Sequence, residues 1–240
     1  MNESFLAQIR AKAQQGIANR LFLAATETDS LLRAFGAEIE AKTGATPIYG
    51  PLKGREGRAT EKVRDDYGGD WYELKDVVRM TFVAPAPYKL LKVRNEIRSG
   101  AVARNGLSLV KDVETFANVD TCGYSGLNFV LRLKNGRPAE IQANVPEIMY
   151  AKMSQKDFTA YLGAEYYTHL KAKFLELEGG HGHALYELYR VNPAAVAARR
   201  AALVSKAYYA YFRSFPNKEK RDYLQFEING FKKTYPHLFH

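Results

Sequence analysis

Four short segments carry residue types suited to a phosphorylated nucleotide. The first is the basic loop Lys53-Gly-Arg55-Glu-Gly-Arg58, with Lys62 just inside the helix expected after it. A triphosphate needs several cations and close backbone approach, and glycine permits that approach. Read alone, such a loop is more often a solvated surface. The second is Lys75-Asp76-Val77-Val78-Arg79, at the head of an apolar run. A carboxylate there is costly unless it is paired or holds a metal ion, although a surface Asp at a strand end reads as well. The third is Cys122-Gly-Tyr124-Ser-Gly-Leu-Asn128. Glycines on both sides of a tyrosine leave its ring open to stack on a base, or simply mark a loop with a core tyrosine. The fourth is Glu140-Ile141-Gln142-Ala143-Asn144, where strand alternation puts the carboxylate and the amide on one face. A solvated outer face is the commoner meaning of any one such strand.

In this order the segments resemble the RelA/SpoT synthetase family. Its pattern is a basic ATP loop, a strand opening with a metal-binding Asp, a Lys-Asp pair, a Gly-Tyr loop, and a Glu-x-Gln strand. The counterparts here are Lys53 and Arg55, Asp76, Lys111-Asp112, Gly123-Tyr124 and Glu140-Ile141-Gln142, so the likeness spans about residues 45–150 and continues weakly to Arg190. The resemblance implies an ATP-dependent pyrophosphokinase. Lys53 and Arg55 would hold ATP, with Arg58, Lys62 and Arg79 as neighbouring cations. Asp76 and Glu140 would bind Mg2+, Glu140 could instead serve as base toward the attacking hydroxyl, and Lys111 would contact phosphate. Gln142 would orient Glu140 or the acceptor ribose. Tyr124 would stack on the acceptor base, with Asn128 and Asn144 beside it.

The departures fall around the acceptor. The family usually has histidine where this chain has Asn128, and arginine where it has Asn144. The connection from Lys111 to Gly123 is also longer, and its second lysine is missing. Donor chemistry should therefore persist while the guanosine acceptor is open, as in the toxin branches. Those make adenosine alarmones or pyrophosphorylate the 3′ end of tRNA. No hydrolase His-Asp signature accompanies the synthetase motifs. A catalytically inactive nucleotide- or RNA-binding module is the reading from a different class. Retention of both Asp76 and Glu140 argues against it.

The elements that must position these residues read as an α+β fold: a mixed sheet of about five strands flanked by helices, a nucleotidyltransferase-like synthetase fold with a helical C-terminal extension. Residues 3–25 read as helix. A second helix capped by Thr28 or Asp29 would carry Leu31, Leu32, Phe35 and Ile39 on one face. Residues 60–67 and 88–99 read as helices; residues 74–83, the 107–113 region, 127–134 and 139–145 read as strands. Asn135-Gly136 signals a hairpin. A two-residue turn would set Leu131 against Glu140. A three-residue turn including Arg137 keeps the apolar faces together, opposing Arg132 to Glu140 and Asn128 to Asn144. The polar face would then group Asn128, Arg132, Glu140, Gln142 and Asn144. Beyond Pro146 the chain reads helical, with breaks at Gly163, Gly179-Gly180, Pro193 and Pro216. The expected organisation is a synthetase domain over 1–190, including N-terminal helices 1–45, with a basic helical extension over 191–240 packed on it.

The 240 residues carry a net charge of +9, and from Arg190 to His240 ten Lys/Arg against three Asp/Glu give +7 of it. Basic charge interleaved with Tyr208, Tyr209, Tyr211, Phe212, Tyr223, Phe226 and Tyr235 suits RNA, but helical spacing makes many of these aromatics core candidates. His181 and His183 could be ligands, though two histidines near a helix start are more often structural. A single cysteine, Cys122, excludes an internal disulfide framework, and no run of about 18 apolar residues suggests a membrane span. The first residues lack the pattern of a Sec signal peptide. The expected partners are thus ATP and an acceptor nucleotide, with tRNA and an inhibitor or immunity protein as further candidates and no membrane. A cytoplasmic site of action fits, with delivery by a signal-free route left open.

Overall fold

A computed structural model describes residues 3–23, 25–52, 54–133 and 136–239. They group into two compact units. One comprises residues 1–113 and 127–143, the other residues 114–126 and 144–240.

The first unit is built on a five-stranded sheet in the order β1-β2-β5-β4-β3, the mixed sheet expected from the sequence. The strands are β1 (Thr46–Tyr49), β2 (Arg79–Val83), β3 (Leu107–Glu114), β4 (Leu127–Leu133) and β5 (Pro138–Asn144). β1 pairs antiparallel with β2, and β4 with β5. Alternation explains the sheet's two faces. Leu127, Phe129, Leu131 and Leu133 of β4 are buried together with Ala139, Ile141 and Ala143 of β5. Opposing pairs are Leu127 with Ala143, Phe129 with Ile141 and Leu131 with Ala139. The other face carries Asn128 opposite Gln142 and Val130 opposite Glu140.

Helices α1 (Glu3–Leu23), α2 (Ala25–Thr43), α3 (Arg58–Asp66), α4 (Pro87–Glu96) and α5 (Val102–Arg104) complete this unit. Leu32, Phe35 and Ile39 form the buried stripe of α2, and Phe35 meets Phe82 of β2 edge-on at 6.0 Å. α1 is tied to the short turn at Trp71–Glu73. Gln14 accepts from the Trp71 amide at 2.9 Å, and Phe22 packs on the Trp71 ring at 5.9 Å.

Four expectations are corrected. β1 is an additional strand over Thr46–Tyr49. Thr28 and Asp29 lie inside α2, whose first residue is Ala25. β2 begins at Arg79, so Asp76 sits three residues before the strand and not at its head. The hairpin keeps the expected faces but not the expected register, because pairing closes where the Leu133 amide donates to the Arg137 carbonyl at 2.9 Å. Val130, not Arg132, therefore opposes Glu140, and Asn128 opposes Gln142 in place of Asn144. The turn at Asn135 lies outside the described residues.

The second unit is helical: α6 (Pro146–Lys152), α7 (Gln155–Leu162), α8 (Ala164–Lys173), α9 (His181–Val191), α10 (Val196–Phe212) and α11 (Lys218–Thr234). α10 packs against α6, α9 and α11. The core is aromatic, with Tyr150 at its centre against Phe158, Tyr167, Phe174 and Phe212 at ring separations of 4.9–6.5 Å. Buried phenols need acceptors. The hydroxyls of Tyr150, Tyr208 and Tyr211 donate to the carbonyls of Leu177, Glu178 and Phe174. Together they clamp the α8–α9 connection, where Leu175 and Glu176 have positive φ. Four of the tail aromatics weighed as an RNA surface, Tyr208, Tyr209, Tyr211 and Phe212, thus belong to this core.

Candidate active site

In the first unit the acidic residues come from two neighbouring segments. Asp76 is buried at 9% exposure, and the Lys62 ammonium of α3 lies 3.0 Å from its Oδ2. Burial works against the charge on Lys62, but the Asp76 carboxylate outweighs it and raises the lysine above its ordinary value. The Glu140 amide donates to the Val78 carbonyl at 3.1 Å, so β5 runs beside the segment that carries Asp76. Gln142, two residues along the same face, donates its amide to Glu140 Oε1 at 3.3 Å. Asn128 faces Gln142 across the β4–β5 ladder.

The cations are spread more widely. Lys53, and the side chain of Arg58, lie outside the described residues. Arg55 donates to Asn19 of α1, and its guanidinium stands 6.0 Å from the Trp71 ring. Arg79 is exposed at the start of β2 and crosses Gly50. A Cβ built on Gly50 would come within 2.8 Å of the arginine's Cγ and Nε. Lys111 is exposed on β3. Its sequence partner Asp112 is turned to α4 and the helical turn Ile97–Ala101 after it: Arg94 Nε of α4 donates to both carboxylate oxygens at 3.2 Å, and Arg98 of that turn also donates. The Lys-Asp pair is therefore one exposed cation and one carboxylate tied into the helical layer.

Among the described residues no group of three or more His, Cys, Asp and Glu side chains could hold a metal ion. The available donors are the hard carboxylate oxygens of Asp76 and Glu140. That set matches Mg2+, which takes one or two carboxylates and completes its shell with phosphate and water.

In the second unit the Gly-Tyr loop is held from several sides. Asn144 is fully buried, and its Nδ2 donates to the Ser125 carbonyl at 2.6 Å and to the Tyr124 hydroxyl at 3.2 Å. Arg213, the C-cap of α10, donates through Nη1 to the Gly123 carbonyl at 2.8 Å and to Ser125 Oγ at 3.0 Å. Its burial lowers the guanidinium below its usual range. Asp120 Oδ1 accepts from the Tyr124 amide at 2.8 Å. Gly123 has φ +85°, and a Cβ there would lie 2.5 Å from the Lys206 Cα of α10, so the position accepts glycine only. The half-buried Tyr124 ring meets Tyr209 edge-on at 5.8 Å and lies 5.0 Å from the Lys152 ammonium. Lys152, Tyr209 and Arg213 carry no sequence signal tying them to Tyr124. His181, in the same unit, is buried, which lowers its pKa, and it stands 3.6 Å from Glu178.

No protein-family model matches the chain. The (p)ppApp synthetase toxin Tas1 of Pseudomonas aeruginosa (strain UCBPP-PA14) is 38% identical over 172 residues, covering 71% of this chain and 37% of that protein. The present chain thus corresponds to a little over a third of this relative's length. The crystal structure of the type VI effector Tas1 with its immunity protein is 33% identical, covers 84% of this chain and 97% of that one, and superposes with a TM-score of 0.67. The small alarmone synthetase 2 of Bacillus subtilis is 16% identical over 90% of this chain, with a TM-score of 0.48. No described helix is long and apolar enough to cross a membrane. With motifs, sheet and Tas1 similarity in agreement, the chain belongs to the RelA/SpoT-like alarmone synthetase family.

Proposed function

We propose that this chain is an ATP-dependent pyrophosphokinase. It moves the β,γ-pyrophosphate of ATP to the 3′-hydroxyl of an adenosine nucleotide, making a (p)ppApp-type product and AMP. The observation that carries the reading is Glu140. This carboxylate sits on the polar face of β5, held by the Gln142 amide at 3.3 Å, on a strand bonded to the segment that bears Asp76.

Phosphoryl-group transfer is mainly positioning and charge neutralisation. The acceptor 3′-oxygen attacks the β-phosphorus, and the bond from that phosphorus to the α,β-bridging oxygen breaks. AMP leaves with the bridging oxygen, and the hydroxyl proton passes to Glu140 and on to solvent. Asp76 is the residue that would hold magnesium, since Glu140 is given the role of base. When bound, the ion neutralises charge on the triphosphate oxygens. Lys62 neutralises Asp76 in the present arrangement and is placed to turn to phosphate. Arg55, Arg79 and Lys111 supply further cations, and Lys53 and Arg58 are assigned to the same role from the sequence. Tyr124 is assigned to stacking on the acceptor base from the sequence.

The adenosine acceptor is chosen because the 38% identical relative is a (p)ppApp synthetase. By the same likeness the chain acts as a toxin, reaches a target cell by type VI delivery, works in its cytoplasm, and is neutralised in its own cell by an immunity protein. A tRNA acceptor is not adopted, since the tail aromatics that favoured it lie largely in the core.

The test is incubation with γ-labelled ATP and magnesium, offering AMP, ADP, GDP, GTP and deacylated tRNA separately. Label on adenosine nucleotides with stoichiometric AMP release is expected, and Glu140→Gln should lower the rate about 100-fold or more. Transfer to guanosine nucleotides or to tRNA alone would overturn the acceptor assignment. No transfer to any acceptor would overturn the activity.

A further inference from the structure

The cations assigned to ATP rest on different partners, and one partner is the carboxylate assigned to the metal. Arg55 rests on the Asn19 side-chain oxygen, and Arg79 crosses Gly50. Lys62 rests on Asp76, with its Nζ 3.0 Å from Oδ2. The two oxygens of that carboxylate are not equivalent. Oδ1 is buried, while 12% of the side chain as a whole is exposed. A hydrated cation arriving from solvent therefore reaches Oδ2, the oxygen that Lys62 holds. Mg2+ gives up water reluctantly and needs near-octahedral oxygen ligands at about 2.0–2.1 Å. An ammonium on the same oxygen blocks part of that approach and repels the dication across a few ångströms. The lysine is held from a second side by Tyr67, the C-cap of α3, whose ring centroid lies 5.6 Å from the ammonium.

Resting on the magnesium role given to Asp76 above, we propose that Lys62 competes with the metal ion for Asp76 Oδ2. Its ammonium keeps divalent ions off that oxygen until a triphosphate draws the lysine away. Phosphate oxygens carry more negative charge than one carboxylate, and the flexible four-carbon stem lets the ammonium follow them. Asp76 Oδ2 is then open to an ion that arrives with the nucleotide. Phosphate removes the competitor of the metal, and metal on Asp76 in turn frees the lysine for phosphate. The two binding events are thus coupled through one side chain, and the coupling is reciprocal. The nucleotide-free protein holds divalent ions weakly, and the site loads with the donor rather than before it. Lys62 acts as a positioning residue for the metal as well as a ligand for phosphate.

The test titrates Mn2+, an oxygen-binding probe whose free form is read by electron paramagnetic resonance, into the nucleotide-free full chain. Wild type, Lys62→Met, Lys62→Gln and the double variant Lys62→Met/Asp76→Asn are compared. Methionine keeps the stem packing and removes the charge. Glutamine also removes the charge but can still donate to Asp76, so it gives the reading should Lys62→Met not fold. Mn2+ affinity should rise about ten-fold or more in both single variants, and the gain should vanish in the double variant. ATP binding without metal, measured by calorimetry in EDTA, should weaken about ten-fold in Lys62→Met. Equal or lower Mn2+ affinity in the single variants would overturn the proposal. A gain that survives Asp76→Asn would place the ion elsewhere and overturn the metal role of Asp76 together with the competition. Absence of transfer in the wild type would sink the proposed activity alone, since an Asp76-dependent gain in Mn2+ affinity supports the competition without turnover.

Discussion

The basic loop of the first unit and the Gly-Tyr loop of the second are both glycine-rich, yet they are built in opposite ways. Around Gly54 and Gly57 a Cβ would meet nothing within 4 Å. The neighbouring cations rest on substitutes: Lys62 on Asp76, Arg55 on Asn19. Around Gly123 the space is filled by the Lys206 backbone, and Tyr124 is bonded through its amide to Asp120 and through its hydroxyl to Asn144. Glycine leaves open space in one loop and permits close packing in the other. A triphosphate with several rotatable bonds suits a loop that wraps it. A flat base suits a ring held in place beforehand.

The contrast is broken most severely at Asp76. Asp76→Asn keeps the shape and removes the charge that Lys62 neutralises, leaving a half-buried ammonium beside an amide. Turnover should fall about 100-fold or more, while thermal stability falls by only about 1–3 kcal/mol. Steady-state transfer and a thermal melt separate the two effects. Near-normal turnover would show that Asp76 is a structural partner of Lys62 and no part of the metal site.

The next effect sets the two glycine loops directly against each other. Gly123→Ala meets both a positive φ and the Lys206 backbone, and should cost about 2–4 kcal/mol, or roughly 5–12 °C in Tm for a chain of this size. Gly54→Ala should leave Tm within about 1 °C, as expected for a surface change that touches nothing. Equal melts would remove the distinction between a packed and an open loop. Smaller again is Arg213→Met, which strips two hydrogen bonds from the Tyr124 loop while keeping an apolar stem. Acceptor KM should rise about 3- to 10-fold with donor KM unchanged. A change in donor KM alone would sink the assignment of Arg213 to the acceptor loop.

The same contrast marks what the sequence made legible. Local patterns carried well: the apolar alternation of β4 and β5 identified the buried face, and the stripe Leu32, Phe35 and Ile39 identified that of α2. β1 escaped because four residues containing Pro47 make a poor strand signal, and Pro is tolerated there because the strand lies at the sheet edge. The hairpin register slipped because face matching fixes only the parity of pairing. Turns that differ by one step in where they close satisfy the same alternation. Glu140 and Gln142 were readable as a pair because they sit two residues apart on one strand. The brace on Tyr124 was not, since Arg213 reaches Gly123 from 90 positions away. The tail's tyrosines looked ambiguous in one dimension. Their burial follows from α10 being enclosed by α6, α9 and α11, which no local spacing records.

The smallest effect probes the open side of the comparison. Arg79 passes over Gly50, whose amide also donates to the Arg79 carbonyl at 3.1 Å, so this glycine supports the arginine both by its backbone and by its missing side chain. A methyl group at Gly50 would lie 2.8 Å from atoms of a flexible, exposed side chain, which can swing away at little cost in stability. Gly50→Ala should therefore leave Tm nearly unchanged and raise the KM for ATP about 2- to 5-fold, with acceptor KM unaffected. Adding Arg79→Ala to it should produce no further loss beyond that of Arg79→Ala alone, because both changes remove the same placed guanidinium. Full additivity in the double variant would mean that Gly50 acts on ATP by some route other than Arg79. A fall in Tm as large as that of Gly123→Ala would mean that the donor side is packed as tightly as the acceptor loop.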